Sequence, residues 1–401
     1  MPDPDCQMFT PAMLADPYPT YQRMRKSDPV HWHEPFGAWV LLRYDDVSAA
    51  LHDPRLRSSR VGRMRELSGR EDAAAVFELI DDQMNLNDPP RHTRLRAILS
   101  KAFTPPAIAA LKPNVEQLVN QLLDAVQDQG RMEVIGDFSF PLPAAVIGKM
   151  LGLPPGGLER LRRWSDDFAT VFGTDPSAVT PAQFAQAHCS TVELTEYFGK
   201  LAAERRAQPR DDLISVLVAA EGHGLTEREL IANANLLLGA GHETTTHLIG
   251  NGLLALLRHP EQMERLRKDP SLIPGAVEEF LRYDGPLQFM YREAAENLQI
   301  RGKSICKGQL VYTMFASANR DPERFPDPER FDISRRGADH HMAFGQGLHY
   351  CLGAPLARME AQVAFAAILR RLPNLRLETD QLEYQDNLEL RGLKSLPVAF
   401  G

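Results

Sequence analysis

The chain has 401 residues, 43% of them hydrophobic and 24% charged, and a formal net charge of −8. It is long enough to enclose a sizeable core, and its acidic balance argues against bulk nucleic-acid binding. Cys6, Cys189, Cys306 and Cys351 are scattered with no C-x-x-C pair, so neither a disulfide framework nor a zinc site is indicated.

The first residues hold prolines and aspartates and show no basic-then-apolar signal. The most apolar long window, 236–257, contains His242, Glu243, His247 and Asn251, which would be expensive in lipid. A soluble, cytoplasmic monomer with no membrane contact is expected.

In chain order, 18–26 reads as a short helix, and 30–33 and 38–42 as two strands joined at Pro35-Phe36-Gly37. A helix over 44–51 stops at Asp53-Pro54, and the charged stretch 55–84 reads as irregular. Asp88, Pro89 and Pro90 open a further helix, on which His92 and Arg96 are four apart and share a face. Helical periodicity then covers 115–126, 141–151, 158–172, 184–206 and 211–220. Phe168, Val171, Phe172 and Phe184 suit either a lid over a pocket or ordinary core.

Thr226-Glu227-Arg228-Glu229 is a capping box that starts a helix of about thirty residues. Its middle reads Leu238-Gly239-Ala240-Gly241-His242-Glu243-Thr244-Thr245-Thr246-His247. The glycines and the threonine hydroxyls predict a local distortion with room for water or dioxygen. The zinc motif H-E-x-x-H fails here. His242 and His247 are five apart, turned about 140° from each other on the helix, and Thr246 stands where the second histidine is needed.

Glu279 and Arg282 sit at i, i+3, a common pattern that by itself reads as a surface ion pair. Pro328-Glu329-Arg330-Phe331 has a near-duplicate in Asp321-Pro322-Glu323-Arg324-Phe325, so Arg330 and Arg324 stand in like settings. Strand-like runs follow at 297–300, 304–306 and 309–313, and a terminal strand pair is expected over 388–393 and 396–398.

The most informative stretch is Phe344-Gly345-Gln346-Gly347-Leu348-His349-Tyr350-Cys351-Leu352-Gly353-Ala354-Pro355, followed at once by a helical pattern. The glycines allow positive φ and close approach, so that amides can turn toward the sulfur. Pro355 suits the first turn of a helix. Cys351 is thus expected at a helix N-terminus, where thiolate is favoured over thiol. A small buried residue beside a turn, a nucleophile and a metal-ligating thiolate all remain open for this cysteine. An axial ligand to haem iron accounts for the glycines, the helix start and a shielding Phe344 together.

The run F-G-x-G-x-H-x-C-x-G with Ala357-Arg358 after it resembles the haem-binding signature of the cytochrome P-450 monooxygenases. The resemblance implies a mainly α (α+β) fold. A helical part and a smaller β-rich region (28–45, 286–315 and 380–400) would form a single domain over 1–401, with haem b between the long central helix and the cysteine-loop helix. It makes Cys351 the axial ligand. It assigns His92, Arg96, Arg292 and His349 to the haem propionates, and Phe344, Gly345, Gly353 and Ala240 to the cofactor's surroundings. Ala240-Gly241-x-Glu243-Thr244 matches the oxygen-activation motif, an acid followed by an alcohol, so Glu243 and Thr244 inherit proton delivery. Glu279, Arg282 and Arg330 would form a buried network behind the haem.

The implied reaction inserts one atom of dioxygen into an apolar substrate, by hydroxylation or epoxidation. A haem-thiolate peroxygenase or isomerase and a haem-binding sensor are the alternatives. Leu236, Leu237, Leu287, Phe289, Met290 and Leu393 would line the pocket, as in bacterial secondary-metabolism hydroxylases. No flavin- or iron–sulfur-binding region fits in the rest of the sequence, so an acidic ferredoxin with its reductase is the expected donor. Its docking face would be cationic: Arg91, Arg94, Arg96, Lys101 and Lys112 in a stretch free of carboxylates from 89 to 115, with Arg335 and Arg336 before the cysteine loop.

Overall fold

Turn chemistry sets the first sheet. Strands Val30–His33 and Ala38–Leu41 pair antiparallel, from Val30↔Leu41 to His33↔Ala38. A 3-10 turn, Glu34–Phe36, joins them and ends on Gly37 at φ 54°, a left-handed conformation that glycine adopts without strain. Ala38–Leu41 runs parallel to Leu310–Thr313, which is antiparallel to Met290–Ala294. This computed structural model describes residues 8, 10–68, 74–154, 156–172 and 179–401. Cys6 and the side chain of Phe172 lie outside the described residues.

The chain divides into two compact units. One takes the described parts of Met1–Leu56, Ala109–Leu142 and Glu243–Gly401, the other those of Arg57–Ile108 and Pro143–His242. In the first unit the sheet buries Leu41, Ala294 and Val311 with Tyr44, Val47, Phe315 and Met342. Met342 lies just before Phe344, so this core fixes the root of the cysteine loop.

A second sheet orders Arg131–Glu133, Pro397–Ala399 and Arg376–Leu377. The expected terminal strand pair is only partly realised. Pro397–Ala399 is a strand, whereas Leu390 and Leu393 make isolated bridges to Leu287 and Tyr384. The reason is local: Asn387 Oδ1 accepts from the N–H groups of Glu389 and Leu390 at 3.0 and 2.8 Å, taking donors a ladder would need. Helices Ile273–Asp284 and Ala354–Arg371 pack together through Phe280 and Phe365, with ring centroids 4.6 Å apart.

In the second unit, 61–68 and 74–81 are helical where an irregular stretch was expected. Burial overrides the weak periodicity there. Val61, Phe77, Ile80 and Leu86 close a core with Val171, Val179, Phe184 and Ala187, and Phe168 packs against it. Of the two readings of Val171 and Phe184, core packing is therefore the one the structure supports.

Helix Glu227–Arg258 has 32 residues and is about 48 Å long at the usual rise. It is α-helical throughout, so the distortion expected at 239–244 is absent. Gly241 has a packing reason instead: a Cβ there would lie 2.7 Å from Ile147. The other glycine, Gly239, faces open space. Removing side chains here makes room without breaking the backbone hydrogen bonds.

Candidate functional site

The cysteine loop is built by its own backbone. Gly345 and Gly347 take φ of 67° and 70°, and a Cβ on Gly347 would lie 2.9 Å from the Leu51 carbonyl oxygen. No larger residue fits that approach. The Cys351 N–H donates to the Phe344 carbonyl at 2.9 Å and closes the loop, rather than turning toward the sulfur. Gly353 is the N-cap of helix Ala354–Arg371, with Pro355 in its first turn, so Cys351 precedes the cap by two residues. Its side chain is exposed, and a Cβ on Gly353 would lie 4.0 Å from its Sγ.

Helix Glu227–Arg258 carries the second feature. From 231 to 256 it is buried except at Leu236, Gly239, Ala240, Gly241, Glu243, Thr244 and His247. Leu236, Ala240, Glu243, Thr244 and His247 recur three to four apart, so they form a stripe along one face. The acid, the alcohol and the small residues thus lie on the accessible face of an otherwise buried helix. His242 is not on it. Burial lowers its pKa to about 4 although the Leu238 carbonyl holds its Nδ1 at 2.7 Å, so it stays neutral and inward.

The other expected site residues fall on both units. Arg292, on Met290–Ala294, is buried, with Nη1 donating to the Tyr291 carbonyl at 3.1 Å. His349 ends the 3-10 turn Gly347–His349 and is half-buried. In the second unit His92 is buried on helix Arg91–Leu99. Burial first, and then the charge of Arg96 one turn on, lower its pKa. Leu236, Leu287 and Met290 are half-buried, whereas Leu237, Phe289 and Leu393 are 8%, 5% and 0% exposed. Phe289 packs in a core with Tyr18, Tyr21 and Met314.

Glu279 and Arg282 form a fully buried bidentate pair at 2.7 and 2.9 Å. The third member is Arg335, whose Nε lies 3.2 Å from Glu279 Oε1. Arg330 is a correction: its side chain is 68% exposed and reaches only Asp332, at 4.0 Å. It contributes its carbonyl, to which Arg335 donates at 2.6 Å. Arg324 lies over the Tyr44 ring instead. The network's loop turns back at Asp327, which has φ of 48°, so the arginine that reaches Glu279 is five residues past the expected one.

The expected cationic docking face needs the same correction. Arg91 pairs with Asp82 and, at 3.0 Å, with Glu229; Arg94 pairs with Glu229 at 2.6 Å and donates to the Gly224 carbonyl. Glu229 closes the capping box with Thr226 as well. Arg91, Arg94 and Arg335 therefore answer carboxylates of this chain.

Comparison with known proteins decides the family. The family model described as Cytochrome P450 matches residues 182–397. Cytochrome P450 CYP107DY1 of Priestia megaterium is 46% identical over 376 residues, 90% of each chain. The monooxygenase PikC of Streptomyces venezuelae is 42% identical over 96% of this chain and 91% of its own. The crystal structure of P450BioI, in complex with acyl carrier protein ligated by hexadec-9Z-enoic acid, superposes with a TM-score of 0.91 at 36% identity, covering 97% of this chain and 99% of that one.

The chain belongs to the cytochrome P450 family. It is an oxidoreductase, a P450 monooxygenase, with the P450 fold, and membership implies the use of haem and dioxygen. The donor chemistry fits haem. This P450 offers an exposed thiol on a loop turned by two glycines, a buried guanidinium and an accessible stripe of small and polar residues. Among the described residues no cluster of His, Cys, Asp and Glu could hold a metal ion by itself, and no helix is long and apolar enough to cross a membrane.

Proposed function

We propose that this P450 inserts one atom of dioxygen into an apolar organic substrate of secondary metabolism, drawing electrons from an acidic ferredoxin and its reductase. Cys351 would hold the iron of a haem b through its thiolate, and Phe344 would shield the sulfur. His92, Arg96, Arg292 and His349 bind the propionates, as charge-assisted donors to carboxylates. The bound haem supplies the oxygen chemistry. Glu243 and Thr244 hold and move protons at their carboxyl and hydroxyl oxygens, on the accessible face of the long helix. That stripe is the observation that carries the reading, because it puts the acid–alcohol pair where a bound molecule can reach it. It also favours monooxygenation over a peroxide-driven or sensing role, which needs no such pair.

Leu287 and Met290 in the first unit, and Leu236 and Ala240 in the second, are each accessible enough to meet such a substrate. The relatives support the substrate class by analogy only. One structural neighbour is in complex with a fatty acyl chain on a carrier protein, which supports a carrier-bound apolar chain as one form of this substrate. The test is spectroscopic. The reduced protein with carbon monoxide should show the strongly red-shifted Soret band of thiolate ligation, and Cys351→His should abolish it. A thiolate band that survives in that variant refutes the ligand assignment.

A further inference from the structure

One polar side chain on the accessible face of the long helix takes no part in the proposed reaction. His247 is half-buried and lies one turn beyond Glu243 and Thr244 on the same stripe. Helical side chains lean toward the N-terminus, so its ring overlies the turn that carries the acid and the alcohol. The following turn is already occupied. There Asn251 Nδ2 donates to the Arg391 carbonyl at 3.0 Å.

The backbone at Gly392 presses against this ring. A Cβ there would fall inside it, against Nδ1, Cγ and Cε1 of His247. Gly392 is buried and its φ is not left-handed, so space rather than backbone conformation demands the glycine. The loop is pinned around this point. The Gln385 N–H donates to the Gly392 carbonyl at 2.8 Å, and Arg391 donates through Nε to Asp284 at 2.8 Å and through Nη2 to the Ala15 carbonyl at 3.0 Å. Leu390, on the same loop, bridges to Leu287. All of these residues lie in the first unit. Of the two partners in the contact, the ring is the one that can turn, by changing its rotamer.

From this geometry we infer that His247 and Gly392 are a specificity-determining pair: the bare backbone of Gly392 lets the His247 ring lie back from Glu243 and Thr244, and so sets the bulk of the substrate that fits beside them. The inference rests on the reading of that face as the place where the substrate reacts. Filling the space at 392 drives the ring over the acid–alcohol turn, where it takes room from an apolar molecule. Removing the ring opens the same room. The pair trades volume, and size added at 392 is felt only while a ring stands at 247.

The test is a double-mutant cycle on the haem-loaded protein, read by the shift in haem absorption on titration with two azoles that bind the iron directly. Imidazole is small, whereas clotrimazole, an imidazole bearing a triaryl group, fills the space around it. Gly392→Ala should weaken clotrimazole binding by about tenfold and leave imidazole within about twofold. His247→Ala should tighten clotrimazole binding, and adding Gly392→Ala to it should cost nothing further. Equal losses for both azoles, or a Gly392→Ala loss that persists without the ring, overturn the inference, because a merely loosened fold would give either. Where Gly392→Ala fails to hold haem, His247→Ala decides alone, and an unchanged ratio of the two affinities overturns the pair. The two readings fail differently. An unsubstituted protein whose haem absorption imidazole does not move would sink both, whereas normal azole binding that ignores positions 247 and 392 would sink only the pair.

Discussion

Replacing Glu229 by glutamine should loosen the start of helix Arg91–Leu99 in a pH-dependent way. Glu229 has 4% of its side chain exposed and answers Arg91, Arg94 and the Thr226 N–H. Burial by itself would raise its pKa. The Arg94 and Thr226 hydrogen bonds and then Arg91 outweigh that and hold the carboxyl at about 2. Against an unfolded value near 4.3, the linkage is worth about 3 kcal/mol at neutral pH, and about 2 after allowing for the part-exposed Arg94. The sign follows from the lowered pKa. The contribution is complete above the unfolded value and is lost as pH falls through the folded one. Amide hydrogen exchange in helix Arg91–Leu99 should therefore be about 30-fold or more faster in Glu229→Gln at pH 7, and the gap should narrow steadily below pH of about 4.3. A gap that stays constant down to pH of about 3, or protection that does not change at all, would refute this account of Glu229.

Thr244→Ala should bind substrate normally yet release hydrogen peroxide in place of product, with product formation down by about 10²–10⁴; unchanged coupling assigns the proton to another group. Arg335→Ala should destabilise the protein by about 1.5–3 kcal/mol, because Glu279 loses one charge-assisted partner and keeps Arg282, while Arg330→Ala should stay within about 0.5 kcal/mol, both read by denaturant unfolding. Reduction by an acidic ferredoxin should slow steeply as salt rises. Lys101→Glu and Arg336→Glu should slow it further while substrate affinity holds, because these two cations are exposed whereas Arg91, Arg94 and Arg335 are committed to carboxylates.

The parts of the site that a short run of residues can specify were legible. Gly345, Gly347, Cys351, Gly353 and Pro355 dictate a loop and a helix start by backbone chemistry alone, and the loop and helix appear there. Glu279 and Arg282 share a helix, so their pairing needed only i, i+3 geometry. What depends on tertiary return was not legible. Arg335 reaches Glu279 only because the chain doubles back through 326–330, and nothing local separates it from Arg330 or Arg324. Arg91 and Arg94 read as free charge within 89–115 because their partners, Asp82 and Glu229, lie outside that stretch. Leu237, Phe289 and Leu393 are apolar in the right neighbourhoods, but apolarity cannot tell a lining residue from a core one. At 61–68 and 74–81 the charged residues masked a helical core face.

The adjacent acids Glu278 and Glu279 show how one helical turn organises the sulfur side of this P450. Successive residues on a helix point about 100° apart, so the pair addresses two different segments. Glu279 turns to Arg282, Arg335 and the Asp332 N–H, holding the 328–335 loop. Glu278 turns to Arg358 and His341, holding the loop that carries Cys351. The two differ in exposure: the Glu279–Arg282 pair is 0% exposed, whereas Glu278 and Arg358 are 12% and 25% exposed. A fully buried pair locks one arrangement, because breaking it strands a charge. A part-exposed pair can exchange its partner for water at lower cost. Helix Ile273–Asp284 thus carries a fixed anchor and an adjustable one side by side, and the adjustable one faces the thiol loop.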